Sequence, residues 1–265
     1  MKKSRLFLKI GAGLLAVGLI VFCCSLTFSF TGNPLVMLMA KSTAKHYVEE
    51  TYPELDLNIV EVSYNFKFSV YTVMVSAPES EDTTFYIATH DGMNVTHDTY
   101  ERDIEQRSNT LTRLSGEYTD RIDSLLKEVS GVKEVFSIFD WSEKQSAINY
   151  DDFPLDLSFS MQAIRHMGGI LNMRIVCETL TPEEAARIAK EGQEILAKRD
   201  MEPAYYSFYF ESEYGQEWIA SKTYTAEELH AIERDALAAE LQEGDQEWLE
   251  DTKAEAEKAL SDMGK

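Results

Sequence analysis

The pattern of hydrophobic positions changes period along the chain. It begins as an unbroken apolar run, Ile10 to Thr31, twenty-two residues without a charge. A helix of that length rises about 33 Å, enough for a hydrocarbon core of about 30 Å. Asn33-Pro34 then supplies a helix cap and a proline suited to the first helical position. Leu35, Leu38, Met39, Tyr47 and Val48 recur at helical spacing, so residues 34–51 are expected to form an amphipathic helix with these residues inward, stopped by Tyr52-Pro53. A period of two follows. Val60, Val62, Tyr64, Phe66 and Phe68 predict one strand, Tyr71, Val73, Val75 and Ala77 a second, and Phe85, Ile87 and Thr89 a third after the polar loop 78–83. Asp91-Gly92 signals a two-residue hairpin, with Val95 and His97 in a fourth strand. These elements predict a helix over one face of a four-stranded antiparallel meander.

From Asp103 to Val129 the helical period returns, with Leu111, Leu114, Tyr118, Ile122, Leu125 and Val129 on one face. This helix is expected to join two halves and to pack on both. Residues 132–139 predict a strand, 140–154 a loop and 161–167 a short helix. Ile170–Glu178 is apolar on both parities, as for a strand buried on both faces. Thr181-Pro182-Glu183-Glu184 is a capping box opening helix 182–199, with Ala185, Ile188, Ala189, Ile195 and Leu196 inward. An aromatic strand, 205–211, is expected to pair with 217–223. A second capping box, Thr225-Ala226-Glu227-Glu228, opens a C-terminal helix that Gly244-Asp245 interrupts before Trp248, Leu249, Ala256 and Leu260. The expected organisation is a basic tail at 1–9, a transmembrane helix at 10–31, an α+β domain at 33–129 including the linking helix, and a second α+β domain at 130–265. The fold class is α+β: two helix-plus-antiparallel-sheet lobes joined by a long helix.

Charge orients this picture. Lys2, Lys3, Arg5 and Lys9 precede the apolar run and no base follows it until Lys41, which favours a single pass with the N-terminus in the cytoplasm and the C-terminal domain extracytoplasmic. A cleaved signal peptide has a shorter core of about 7–15 residues and a small-residue cleavage site. Here the run is longer and ends in Phe28-Ser29-Phe30-Thr31-Gly32, so an uncleaved anchor holding the bilayer through residues 10–31 is expected. Phe22 before Cys23 argues against lipoprotein processing and leaves Cys23 and Cys24 as small apolar side chains in a membrane helix. Four of the 25 bases precede the anchor, leaving 21 against all 46 acids, a net charge of −25 beyond it. That sign disfavours nucleic acid and anionic headgroups as partners and keeps an exposed domain soluble. Beyond the anchor Cys177 is the one cysteine, so no intrachain disulfide forms there; a Gram-positive surface fits better than a eukaryotic exterior, and the sequon Asn94-Val95-Thr96 then carries no glycan.

Candidate chemistry is sparse. His90-Asp91 and His97-Asp98 flank the expected turn, but a metal needs their heads within about 2.0–2.2 Å of one ion, and strand geometry does not bring them together. Asp151, Asp152 and Asp156 lack the spacing and glycine of a calcium loop. Cys177 falls inside an apolar strand, where a thiol is inert. The sequence holds no G-x-S-x-G, H-E-x-x-H, S-x-x-K or P-loop pattern. The run Tyr205, Tyr206, Phe208, Tyr209, Phe210 places aromatic rings on both faces of one strand. One face is core, and an exposed face bearing Tyr205 and Tyr209 would suit a peptide, glycan or protein partner. The expected function is a non-enzymatic binding or accessory module for a protein or cell-wall partner, without catalytic residues, cofactor or metal. The alternatives are a cell-surface hydrolase and a protease regulator.

Asn33-Pro34-Leu35, Tyr52-Pro53 and Tyr64-Asn65-Phe66-Lys67, continuing through Phe85, Asp98-Thr99-Tyr100 and Asn109-Thr110 into Arg113-Leu114, resemble the YfjL-like proteins of Gram-positive bacteria. The likeness covers residues 33–125 well and the C-terminal half more loosely. It implies extracytoplasmic display on one anchor, an N-terminal helix-plus-sheet domain and a second C-terminal domain; it carries no activity and no catalytic residue. The helix-then-sheet order is also similar to PepSY-like and cystatin-like modules, some of which regulate proteases, at the level of fold alone.

Overall fold

Asn33 ends one helix and starts the next. In the computed structural model, which describes residues 2–142, 147–213, 215 and 217–243, α1 (Lys2–Thr31) gives way to α2 (Pro34–Thr51) through Gly32 and Asn33 alone. The Asn33 Oδ1 accepts the Leu35 N–H at 2.9 Å, capping α2 as expected. Gly32 has φ +80° and lies so close to Tyr64 that a Cβ would sit 2.7 Å from the Tyr64 Cβ, so only glycine fits. Among the described residues one helical stretch, running on from α1, is long and apolar enough to cross a membrane.

α2 covers the meander with a face that keeps Tyr47 and Val48 inward as expected but not Leu35, Leu38 and Met39. Ala40, Ala44 and Val48, four residues apart, are buried against Tyr71, Val73 and Val75 of β2 (Val70–Ser76) and Phe85 and Ile87 of β3 (Thr84–Thr89). Leu35 and Leu38 point away, 71% and 67% exposed, with Met39 also exposed. Two alanines let the helix approach the sheet closely, and the larger side chains that spacing alone assigns inward lie on the far side. The sheet runs β1 (Asn58–Asn65), β2, β3, β4 (Val95–Asp98), each pair antiparallel, with a bulge between Ile59 and Glu61. The β3–β4 connection spans residues 90–94, longer than the two-residue hairpin expected at Asp91-Gly92. The Asp91 carboxylate accepts the N–H groups of Met93 (2.8 Å) and Asn94 (3.0 Å) and the Asn94 side chain (2.8 Å), closing a wider loop. These donors pull the Asp91 carboxyl down to about 2.

The expected helix 103–129 is broken. A π-helical turn at Glu101–Glu105 ends in Arg107, whose φ is +55°, and α3 (Ser108–Leu126) starts afresh. Asp103 anchors that turn by accepting the Thr99 hydroxyl and, at 2.7 Å, the Arg102 Nε.

The chain divides into two compact units, residues 1–110 with 154–156, and 111–153 with 157–265. The returning segment completes the first. Leu155 joins its core, and Asp82 and Asp156 are locked reciprocally: the Asp82 N–H donates to Asp156 Oδ1 (3.0 Å) and the Asp156 N–H to Asp82 Oδ2 (2.8 Å). Asp82 is buried, so Asp82→Ala strands a donor and is expected to cost about 1–3 kcal/mol. Thermal unfolding of the two proteins compares them directly, and an unchanged midpoint would remove any structural role from the lock.

In the second unit Leu111, Leu114, Tyr118, Ile122 and Leu126 of α3 enter one core. The division therefore falls at 110/111, at the head of the helix, where the sequence placed the helix with the first domain. Five strands form the sheet: β5 (Val132–Asp140), β6 (Ile170–Cys177), β7 (Tyr205–Ser212) and β8 (Trp218–Ala220) in that order, with β9 (Tyr224–Thr225) also on β7. Its pairs are antiparallel except β6–β7, which is parallel because α5 (Pro182–Lys198) carries the chain back between them. Both N-caps sit where expected: Thr181 caps α5 by accepting the Glu184 N–H, and Thr225 with Glu228 makes a full capping box at α6 (Ala226–Ala231). Helix α4 (Met161–Met167), α5 and residues 234–243 share the core with α3. The expected break at Gly244-Asp245 and the residues Trp248, Leu249, Ala256 and Leu260 lie outside the described residues.

Candidate functional site: the open face of the second sheet

β7 alternates. Tyr206, Phe208 and Phe210 point inward as a ladder, neighbouring ring centroids 5.9 and 5.6 Å apart and planes nearly parallel. Tyr205, Ser207 and Tyr209 therefore point to the other face. The register sets side chains on that face in rows: Phe136 of β5 lies opposite Arg174 of β6, which lies opposite Tyr209, and Ile138 lies opposite Asn172, which lies opposite Ser207. Phe136 is 59% exposed and Ile138 54%, whereas α3, α4 and α5 of the same unit share the core with the sheet's other face. Tyr209 is exposed and stacks on Trp218 of β8, centroids 5.6 Å apart. Tyr205, at the start of the strand opposite Thr225 and Ile170, is half-buried.

The polar content of this face is ordered. The Arg174 guanidinium grips Glu211, with Nε and Nη2 2.7 and 2.6 Å from Oε2, which fixes its planar group on this face. Partial burial, and then the Glu211 charge, raise the Tyr209 phenol above its ordinary value, so its hydroxyl is a donor at neutral pH. Phe136, Ile138, Asn172, Met173, Arg174, Ser207 and Tyr209 line a shallow depression of about 390 Å³. Such a surface offers apolar area, one fixed cation and a row of hydrogen-bonding groups, but no nucleophile beside a base. Sequence reasoning singled out Tyr205 and Tyr209 and missed Phe136, Ile138, Arg174 and Trp218. The visible signal was β5 itself, whose run VKEVFSIFD is apolar on both parities.

The remaining candidates are engaged elsewhere. His90 Nδ1 meets the Ser69 carbonyl at 3.0 Å, Asp91 holds its own loop, and Asp98 accepts the hydroxyls of Tyr47 (2.6 Å) and Tyr52 (2.8 Å). Asp152 faces His166 at 3.3 Å, and Asp156 is locked to Asp82. Among the described residues no three His, Cys, Asp or Glu side chains are placed to hold one ion. Cys177 is fully buried, and burial pushes its thiol up to about 11, so it stays protonated and unreactive. A polar depression beside α5 is lined by Thr181, Glu184, Arg187 and Asp235, but Arg187 is already held by Glu184 and Glu191 at 2.6 Å each. Lys190 in turn donates to the carbonyls of Leu229, His230 and Ile232 at the end of α6. These charges hold elements together.

No curated protein and no solved structure matches the chain. Residues 7–99, about a third of the chain, match the family model described as YfjL-like, N-terminal domain, a stretch that ends one residue after β4 and so spans most of α1, α2 and the whole meander.

Proposed function

We propose that the chain is a single-pass membrane protein, N-terminus in the cytoplasm and both units outside, at a Gram-positive cell surface. Its second unit binds a protein or cell-wall partner on the outer face of its sheet, without a catalytic step. The observation that carries this reading is the row Phe136–Arg174–Tyr209 with Trp218 beside it, because Tyr, Trp and Arg are the side chains that dominate binding energy at protein interfaces. An open apolar sheet face is costly in water unless something covers it. The apolar length of α1, the four bases before it and the acidic balance beyond it support the location.

The test is photo-crosslinking in intact cells from Ser207, between the two rows. A discrete adduct is expected, weakened by Tyr209→Ala by about 2 kcal/mol, or about thirtyfold in affinity. Adducts that form equally with Tyr209→Ala would refute the face as the binding site. For orientation, Glu79→Cys is expected to react with a membrane-impermeant maleimide in whole cells; labelling only after lysis would invert the topology.

A further inference from the structure

The end of the first unit from which α1 departs is built from the last turn of α1, the first turns of α2, the β1–β2 turn and the β3–β4 loop. These pieces are tied together. The Phe30 ring meets Phe66 with centroids 5.8 Å apart, and the Asn33 N–H donates to the Tyr71 hydroxyl at 2.9 Å. His90 joins the loop to the turn through the Ser69 carbonyl, and the Thr43 hydroxyl joins α2 to the loop by donating to the Gly92 carbonyl at 2.7 Å. With Gly32 wedged against Tyr64, the unit is held to the end of α1.

That end exposes Leu35, Leu38, Met39, Phe66, Phe68 and Met93. It is also poor in charge. Residues 32–40 carry none, the β1–β2 turn carries Lys67, and the β3–β4 loop carries Asp91, already occupied with its own backbone. Elsewhere the chain is strongly charged, 27% of its residues being Asp, Glu, Lys or Arg.

The geometry points to a lipid surface as the occupant: this rim inserts into the interface of the outer leaflet, so that the first unit sits down on the membrane. The inference rests on the membrane-spanning reading of α1 and adds a second, peripheral attachment to it. The apolar span ends at Thr31, and Leu35, four residues on, lies within about 14 Å of it even with the chain fully extended. Phenylalanines flanking a lysine, as in Phe66-Lys67-Phe68, suit the boundary, with rings at the acyl edge and the ammonium reaching the headgroups. The domain's negative charge limits attraction to anionic lipids, so contact is driven by apolar area.

The test uses the full-length protein in phosphatidylcholine nanodiscs containing a lipid with a quencher near the headgroup. In a Cys23→Ser, Cys24→Ser background, with Cys177 buried, an environment-sensitive fluorophore is attached at Leu35→Cys or Phe68→Cys. Glu79→Cys, in the β2–β3 loop at the other end of the strands, is the reference, and Ile20→Cys in α1, at mid-span and read with a lipid quenched at the end of its acyl chain, reports the anchor. Quenching at positions 35 and 68 is expected to exceed that at 79 about fivefold. If position 20 is quenched while 35 and 68 match 79, the rim stands clear of lipid and the inference falls with the anchor intact. An unquenched position 20 refutes the anchor and the inference with it. Self-quenching between labels at 35 or 68 that rises with copies per disc, without lipid quenching, assigns the rim to a second copy and overturns the lipid reading.

Discussion

Phe210→Ala is expected to destabilise the second unit by about 3–5 kcal/mol, while Tyr209→Ala, one residue away, changes stability by less than about 1 kcal/mol. Phe210 is fully buried on β7, opposite Ile175 and Ile219 and stacked on Phe208, so truncation opens a cavity that a strand paired on both edges has little freedom to close. Tyr209 loses its stack on Trp218 and some partly exposed area, which water replaces. Since whole domains are stable by about 5–15 kcal/mol, the first change brings the unit near its folding threshold and the second does not. Trp218 fluorescence in a urea titration reads both. Equal midpoints for the two variants would mean that β7 is covered on both faces, and the open surface would not exist. The pair separates folding from the proposed recognition: truncating the buried neighbour weakens the fold, whereas truncating the exposed one leaves the fold standing for a binding test.

Local pattern determined most of the elements and most of their faces, those of α3, α5, β2 and β3 among them, with α2 and β6 as the exceptions. The caps at Asn33, Thr181 and Thr225, the short helix at 161–167 and the strand at β7 follow from residues within a few positions of one another, and they form where expected. The inward face of α2 did not follow, because hydropathy ranks leucine above alanine whereas close helix-on-sheet packing prefers the smaller side chain. The misassigned leucines, Leu35 and Leu38, lie on the rim proposed to meet lipid, where apolar side chains would not need to face the protein core. β6 shows a related error: Asn172 and Arg174, two apart, mark an open face that a count of apolar residues on both parities hides. The second lobe was expected to hold an antiparallel sheet, and its β6–β7 pair is parallel, because the helix between the two strands returns the chain to the same end of the sheet. At the candidate surface Tyr209 was legible from one strand, while its neighbours Arg174 and Phe136 come from strands thirty-five and more residues away and are placed by register alone.

Asp98→Ala is expected to destabilise the first unit by about 2–4 kcal/mol, with Asp98→Asn between the two at about 1–2 kcal/mol. The Asp98 Oδ2 accepts the hydroxyls of Tyr47 and Tyr52, from α2 and the residue that ends it, and Oδ1 accepts the Tyr100 N–H at 3.1 Å. The rings surround this carboxylate: Tyr52 stacks on Tyr100 at 4.2 Å, and Phe85 meets both edge-on at 5.5 and 5.2 Å. One side chain at the end of β4 thus fixes the C-terminal end of α2 to the sheet. Alanine leaves three donors without their acceptor, although part of the cluster reaches water, which keeps the cost below the sum of three buried losses. Asparagine retains one acceptor and turns an amide toward the other donor. Burial first, then the Asp98 hydrogen bonds, raise Tyr47 and Tyr52 above their ordinary value, and burial raises Tyr100. A raised folded-state value favours the protonated phenol, so this stability is complete below about pH 10 and declines as pH rises beyond it. The first unit contains no tryptophan, so near-ultraviolet tyrosine dichroism and amide exchange in β2 and β3 follow its unfolding. Protection in those strands should fall in the order wild type, Asn, Ala. Identical protection in all three would show that the aromatic packing holds α2 without the carboxylate.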